Sequence, residues 1–182
     1  MKLLALIAVL STFAVGVFAT AIPPTPFVCQ NEKVLATHFI GKNNEVEAQV
    51  LSCSNLPSLT ARSVAQKRQT NVCGNTCNTN CFTPAGGGPD PNDCQVIADA
   101  LLYDNQNIGQ LFNITVGNPI FMQYASCETF FVNQASYNET YCRDDWSSVI
   151  EWVAFNCQSQ QNAHGGNCVA SDQTWFIQIQ SS

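Results

Sequence analysis

Basic residues are scarce in this 182-residue chain, with seven Lys and Arg in all, and Arg143 alone lies beyond Arg68. From Gln69 to Ser182 it faces ten carboxylates, Asp90, Asp93, Asp99, Asp104, Glu128, Glu139, Asp144, Asp145, Glu151 and Asp172, a formal charge of −9. Such a surface repels phosphate backbones and anionic lipid, which argues against nucleic-acid binding, ribonuclease action and a cationic pore-forming toxin. Histidine is equally rare: His164 is the only one after Arg68, and no G-x-S-x-G elbow accompanies it. Long apolar runs are missing except for Leu3 to Phe18. That run is short for a membrane span, follows Lys2 and ends in Ala19-Thr20-Ala21, so residues 1–21 read as a signal peptide of a secreted, extracellular protein with no integral membrane segment. The terminal Ile179-Gln180-Ser181-Ser182 is polar and carries no lipid-anchor tail.

What is present is a dibasic pair, Lys67-Arg68, after the polar stretch Thr60 to Gln66. It has the form of a kexin-type processing site and divides the precursor into a propeptide, 22–68, and a mature disulfide-rich domain, 69–182. Cysteine is abundant. The propeptide holds Cys29 and Cys53, which are expected to pair with each other. The mature part holds an even set of eight, Cys73, Cys77, Cys81, Cys94, Cys127, Cys142, Cys157 and Cys168. Four bridges in so short a domain indicate an oxidising compartment and a small core that needs staples. Two glycosylation sequons, at Asn113 and Asn138, mark expected surface positions.

Local patterns predict the elements of the mature part. Gln69 to Pro89, rich in Asn, Thr, Gly and Cys, reads as a stapled loop without regular structure. Asp90 as N-cap, Pro91 at the first helical position and apolar residues at helical spacing predict a helix over 91–103. Phe112 to Val116 alternates, with Phe112, Ile114 and Val116 facing the core and Asn113 facing water, and Gly117-Asn118-Pro119 turns the chain into one long strand, Ile120 to Val132. Cys142 to Gln158 predicts a second helix with an apolar stripe of Trp146, Val149, Ile150, Val153, Ala154 and Cys157, its positive first turn suited by Asp144 and Asp145. Trp175 to Gln180 alternates and is expected to close the sheet. The order implies an α+β fold, a small disulfide-stapled sandwich in which two helices cover one face of an antiparallel sheet.

Several short stretches resemble the necrosis-inducing factor family of secreted fungal effectors and, through it, the small killer toxins of the smut type. They are Pro91-Asn92-Asp93-Cys94-Gln95, Gln123-Tyr124-Ala125-Ser126-Cys127, a helix with Val149 and Ile150, Ala163-His164-Gly165-Gly166-Asn167-Cys168, and Trp175-Phe176-Ile177. The chain departs from the family pattern in carrying Ala125 in place of Gly, and Cys142 and Cys157 in addition. The resemblance implies a killer-toxin-like α/β sandwich acting outside the cell as an effector in virulence, without catalysis. It also implies the bridges Cys94–Cys127 and Cys81–Cys168, leaving Cys73, Cys77, Cys142 and Cys157 to pair among themselves.

Candidate chemistry is sparse. His164, before two glycines, fits a polar turn better than a general base. Asp144 and Asp145 are adjacent and fit the helix dipole better than a glycosidase pair. Cys73-x3-Cys77-x3-Cys81 reads as disulfides rather than a metal site, and Asp90 with Asp93 lacks the Gly and Glu of a calcium loop, so no metal or cofactor is expected. Trp146 falls on the buried stripe, whereas Trp152, Tyr137 and Tyr141 are candidates for exposed, sugar-stacking aromatics. The reading is a secreted protein that binds an extracellular protein or glycan. The alternatives are a glycan-binding or cell-wall glycoprotein, or a small hydrolase using Asp144 or Glu151 with His164.

Overall fold

The computed structural model describes residues 25–57 and 70–182. The expected signal peptide, 1–21, and the expected processing pair Lys67-Arg68 lie outside the described residues. The larger sheet contains β1 (Lys33–Ile40), β2 (Val46–Ser52), β4 (Cys77–Cys81), β6 (Ile120–Tyr124), β7 (Cys127–Asn133), β9 (Gly165–Ala170) and β10 (Trp175–Ser181). All neighbours are antiparallel, in the order β1-β2-β6-β7-β10-β9-β4. A smaller sheet places β8 (Glu139–Cys142) between β3 (Thr70–Asn71) and β5 (Leu111–Ile114). Helices α1 (Pro91–Asn107) and α2 (Arg143–Val153), with a π-helical continuation Ala154–Gln160, pack on one face of the larger sheet. This is the disulfide-stapled α+β sandwich that periodicity and cysteine count predict.

Helix α1 begins where its cap predicts: the Asp90 carboxylate accepts from the Asn92 amide at 2.9 Å, and Pro91 occupies the first turn. It runs one turn beyond residue 103. Asp104, buried in that turn, accepts from the Gly41 amide at 3.4 Å, and its carbonyl accepts from the amides of Ile108 and Gly109. Helix α2 buries Trp146, Ile150 and Val153 against Phe131, Tyr141, Trp175 and Ile177. Residues of this type contribute roughly 1.5–3 kcal/mol each on burial.

Five expectations are corrected. The supposed loop 69–89 contains β4, a polar edge strand whose Cys-Asn-Thr-Asn-Cys sequence has no apolar alternation because disulfides replace packing as its anchor. The long strand 120–132 is a hairpin, turning at Ala125-Ser126, and Ala125 adopts φ 47°. That is the left-handed region glycine favours. Asp93 locks the turn by accepting from the Ser126 amide at 3.1 Å and its hydroxyl at 2.6 Å. Strand β10 is interior rather than closing, since β4 and β9 extend the sheet beyond it. Val116 lies past the end of β5 and is exposed.

The fifth correction concerns the bridges. Cys29–Cys53 and Cys94–Cys127 form as expected, but Cys81 pairs with Cys157 and Cys168 with Cys77; Cys73 joins Cys142. The sheet register explains the exchange. Cys81 lies opposite Gly166, which has no side chain, so Cys157 crosses over that glycine; a β-carbon there would stand 2.8 Å from the Cys157 sulfur. Cys168, opposite Thr79, is left to the next cysteine on the same face, Cys77.

Residues 25–57, upstream of the dibasic pair, are part of the sheet. Val46 and Ala48 join the core beneath α1, and Leu51 joins a second core on the opposite face with Phe121, Phe130, Val132, Val169 and Phe176.

Candidate functional site

Helix α2 presents to solvent the residues its inward stripe leaves over. After Val153 the helix widens into a π-helical turn, tied to the following loop by a hydrogen bond from the Gln158 side-chain amide to the Ala163 carbonyl and anchored by Cys81–Cys157. The wider turn carries Phe155 and Asn156 round beside Trp152, a use of π-helical geometry often met where a surface is functional. The result is an open groove of about 330 Å³ lined by Ser148, Glu151, Trp152, Phe155, Asn156 and Gln160.

Trp152 is 59% exposed and Phe155 39%, the largest aromatic surface offered by α2 and its continuation. The Trp152 ring is oriented, not loose, because its Nε1–H donates to the Thr79 hydroxyl on β4 at 3.1 Å. Glu151 is held by Gln95 of α1, whose side-chain amide donates to Oε1 at 2.8 Å. The groove therefore combines a fixed indole, a second ring, a carboxylate, a hydroxyl and two side-chain amides.

The remaining candidates are dispersed. His164 donates from Nδ1 to the Pro84 carbonyl at 2.6 Å and packs against Phe82; it does not line the Trp152 groove. Asp144 accepts from the Gln110 amide at 3.3 Å and Asp145 from the Gly74 backbone at 2.6 Å, so these acids hold two separate loops. The carboxylates and histidine proposed for a hydrolase thus have separate structural attachments. Tyr141, expected among the exposed aromatics, is buried against Phe131 and Trp175, and Tyr137 is half-buried. Asn113 and Asn138 are both exposed. The two sequons meet across β5 and β8, where the Thr140 hydroxyl donates to the Asn113 side chain at 3.3 Å.

Arg143, the single cation after Arg68, is committed to the fold: its guanidinium donates to the carbonyls of Gly109 and Leu111 at 2.6 and 2.9 Å and lies over the Phe112 ring. Among the described residues the one grouping of metal-ligand types is Cys73, Cys142 and Asp145, and both sulfurs are spent in a disulfide. No described helix is long and apolar enough to cross a membrane.

Glu139 is the most perturbed acid. It is fully buried on β8, neither carboxylate oxygen has a hydrogen-bond partner, and burial raises its pKa from 4.5 to about 7. Nearby Thr174 opposes the shift and Asp172 adds to it, but the Thr174 hydroxyl donates to Asp172 at 2.9 Å rather than to Glu139.

Sequence reasoning singled out Trp152 and missed Ser148, Phe155 and Asn156 beside it. The signal was helical spacing: these residues lie four before, three after and four after Trp152, and so share its face. No protein-family model matches the chain, and no characterised protein matches it at a significant level. The likeness to the effector family rests on the short stretches quoted above.

Proposed function

We propose that this is a secreted protein that acts by binding, without catalysis, and that the Trp152 groove receives a neutral glycan outside the cell. The observation that carries the reading is the constellation itself. A fixed, exposed indole beside a second ring offers a flat apolar face for a sugar ring, and Ser148, Asn156, Gln160 and Glu151 offer donors and acceptors for hydroxyls around it. The charge of −9 over residues 69–182 disfavours sulfated or uronic-acid polymers and leaves neutral or amino sugars as the preferred class. Five disulfides fit an oxidising extracellular setting.

An immobilised panel of neutral, amino and acidic oligosaccharides tests the reading, with wild type, Trp152→Ala and Phe155→Ala compared. Binding to neutral or amino members, weakened at least ~10-fold by Trp152→Ala, about 1.4 kcal/mol, supports it. Retention of full affinity by that variant, or release of shortened oligosaccharides by the wild type, contradicts it.

A further inference from the structure

The dibasic pair parts the chain into segments that the fold joins closely. Strand β2 pairs with β6 from Glu47↔Gln123 to Val50↔Ile120, and the ladder continues as the Leu51 amide donates to the Pro119 carbonyl at 2.9 Å. Without β2, the backbone edge of β6 is unpaired and the core beneath α1 loses Val46 and Ala48, both fully buried.

The opposite face of the sheet is covered from the same segment. Phe27 sets its ring edge-on to Phe130 and Phe176, each at 5.9 Å between centroids. Directly beside it Gln178, fully buried on the interior strand β10, takes hold of the Phe27 backbone: its carbonyl oxygen accepts from the Phe27 amide at 2.7 Å, and its side-chain amide donates to the Phe27 carbonyl at 2.9 Å. A buried primary amide is costly unless such partners are supplied, and Gln178 stands where the apolar patch meets Asn167, Gln180 and Glu128, its side-chain amide donating to Gln180 as well as to Phe27. Gln178 thus reads an extended backbone, and the aromatic pair reads the ring that the backbone carries.

No disulfide crosses the division. Cys29–Cys53 closes within the upstream segment and the other four bridges close within residues 73–168. Charge does not drive the union: among the described residues 25–57, Lys33 and Lys42 stand against Glu32, Glu45 and Glu47, a formal −1, so the attachment rests on apolar packing and backbone pairing.

We propose that the Phe130–Phe176–Gln178 face together with the β6 edge is a docking surface for the upstream segment, which stays bound as a non-covalent subunit after hydrolysis of the Arg68–Gln69 bond. The secreted form is then a two-chain protein, and the segment is a component of it, not a discarded propeptide. Release would uncover Phe121, Phe130, Val132 and Phe176 as one contiguous apolar patch.

The test begins with the purified full-length precursor, cut at Lys67-Arg68 by a kexin-type protease. The cut is verified by denaturing electrophoresis without reductant, where two chains must separate. Native mass spectrometry and size exclusion are expected to show both chains as a one-to-one complex, and Phe27→Ala and Gln178→Ala each to speed dissociation on dilution at least ~10-fold. Elution of the downstream chain by itself, monomeric and with a cooperative melt, overturns the proposal. Dissociation rates unchanged in both variants overturn the assigned surface. None of these readouts involves the Trp152 groove, so failure of sugar binding and failure of chain retention are separable.

Discussion

Replacing Glu139 by Gln removes a carboxyl that the fold buries without a hydrogen-bond partner, and the consequence for stability can be worked out from its pKa. The value rises from 4.5 to about 7 because burial disfavours the charged form. The folded state therefore holds its proton more tightly than the unfolded chain. This contribution to stability is fully present below about pH 4.5, is lost as pH rises towards 7, and is level above that. At 1.36 kcal/mol per pKa unit the loss is about 3 kcal/mol. For a domain of this size that corresponds to a fall in Tm of about 6–12 °C between pH 4.5 and 8. Glu139→Gln keeps the Asn138 sequon and replaces the carboxyl by an amide that does not titrate, so the variant should be flatter across this window by that amount. Thermal and urea unfolding of both proteins at pH 4.5, 6 and 8 give the comparison directly. The general repulsion among acidic groups also weakens the fold as pH rises, but it acts on both proteins alike. Parallel pH profiles for wild type and Glu139→Gln would refute the reasoning.

Three further substitutions probe the frame around the groove. Ala125→Gly relieves a left-handed backbone at the β6–β7 turn and is expected to stabilise by about 0.5–1 kcal/mol in urea titrations, with no change in slope. Removing Cys94–Cys127 as a double Ser variant opens a link spanning 33 residues and is expected to cost about 4 kcal/mol on the loop-entropy argument, read as a lowered urea midpoint. Gly166→Ala drives a methyl to within 2.8 Å of the Cys157 sulfur and 2.9 Å of the Asn80 carbonyl, so a loss of about 1–3 kcal/mol is expected by calorimetry.

Much of the frame is legible in the sequence because it follows one physical rule at a time. Asp90 and Pro91 announce α1 through capping alone, and the spacing of Trp146, Ile150 and Val153 announces α2 through one buried stripe. Where two rules compete the local pattern fails. Strand β4 is polar because Cys77 and Cys81 hold it by covalent bonds, so no alternation marks it. The break at Ala125 lacks the glycine that usually signals such a turn, its geometry being enforced by Asp93 from another element. Strand β2 has a clear alternation in Val46-Glu47-Ala48-Gln49-Val50, but the dibasic pair downstream draws the segment into a propeptide reading and away from the sheet. For the site, Trp152 is legible as the tryptophan off the stripe. Its orientation by Thr79, seventy-three residues upstream, depends on tertiary pairing of β4 that no local pattern encodes.

The central claim, that the groove on α2 receives a glycan, has a reporter built into the chain. Of the three tryptophans, Trp146 and Trp175 are fully buried and Trp152 is 59% exposed, so quenching of indole emission by acrylamide reads Trp152 almost alone. Titration with the neutral or amino oligosaccharide that binds best should protect this emission and shift it to shorter wavelength, with Trp152→Ala abolishing both changes. Binding that leaves the quenching constant of the wild type unaltered would place the ligand elsewhere and contradict the account.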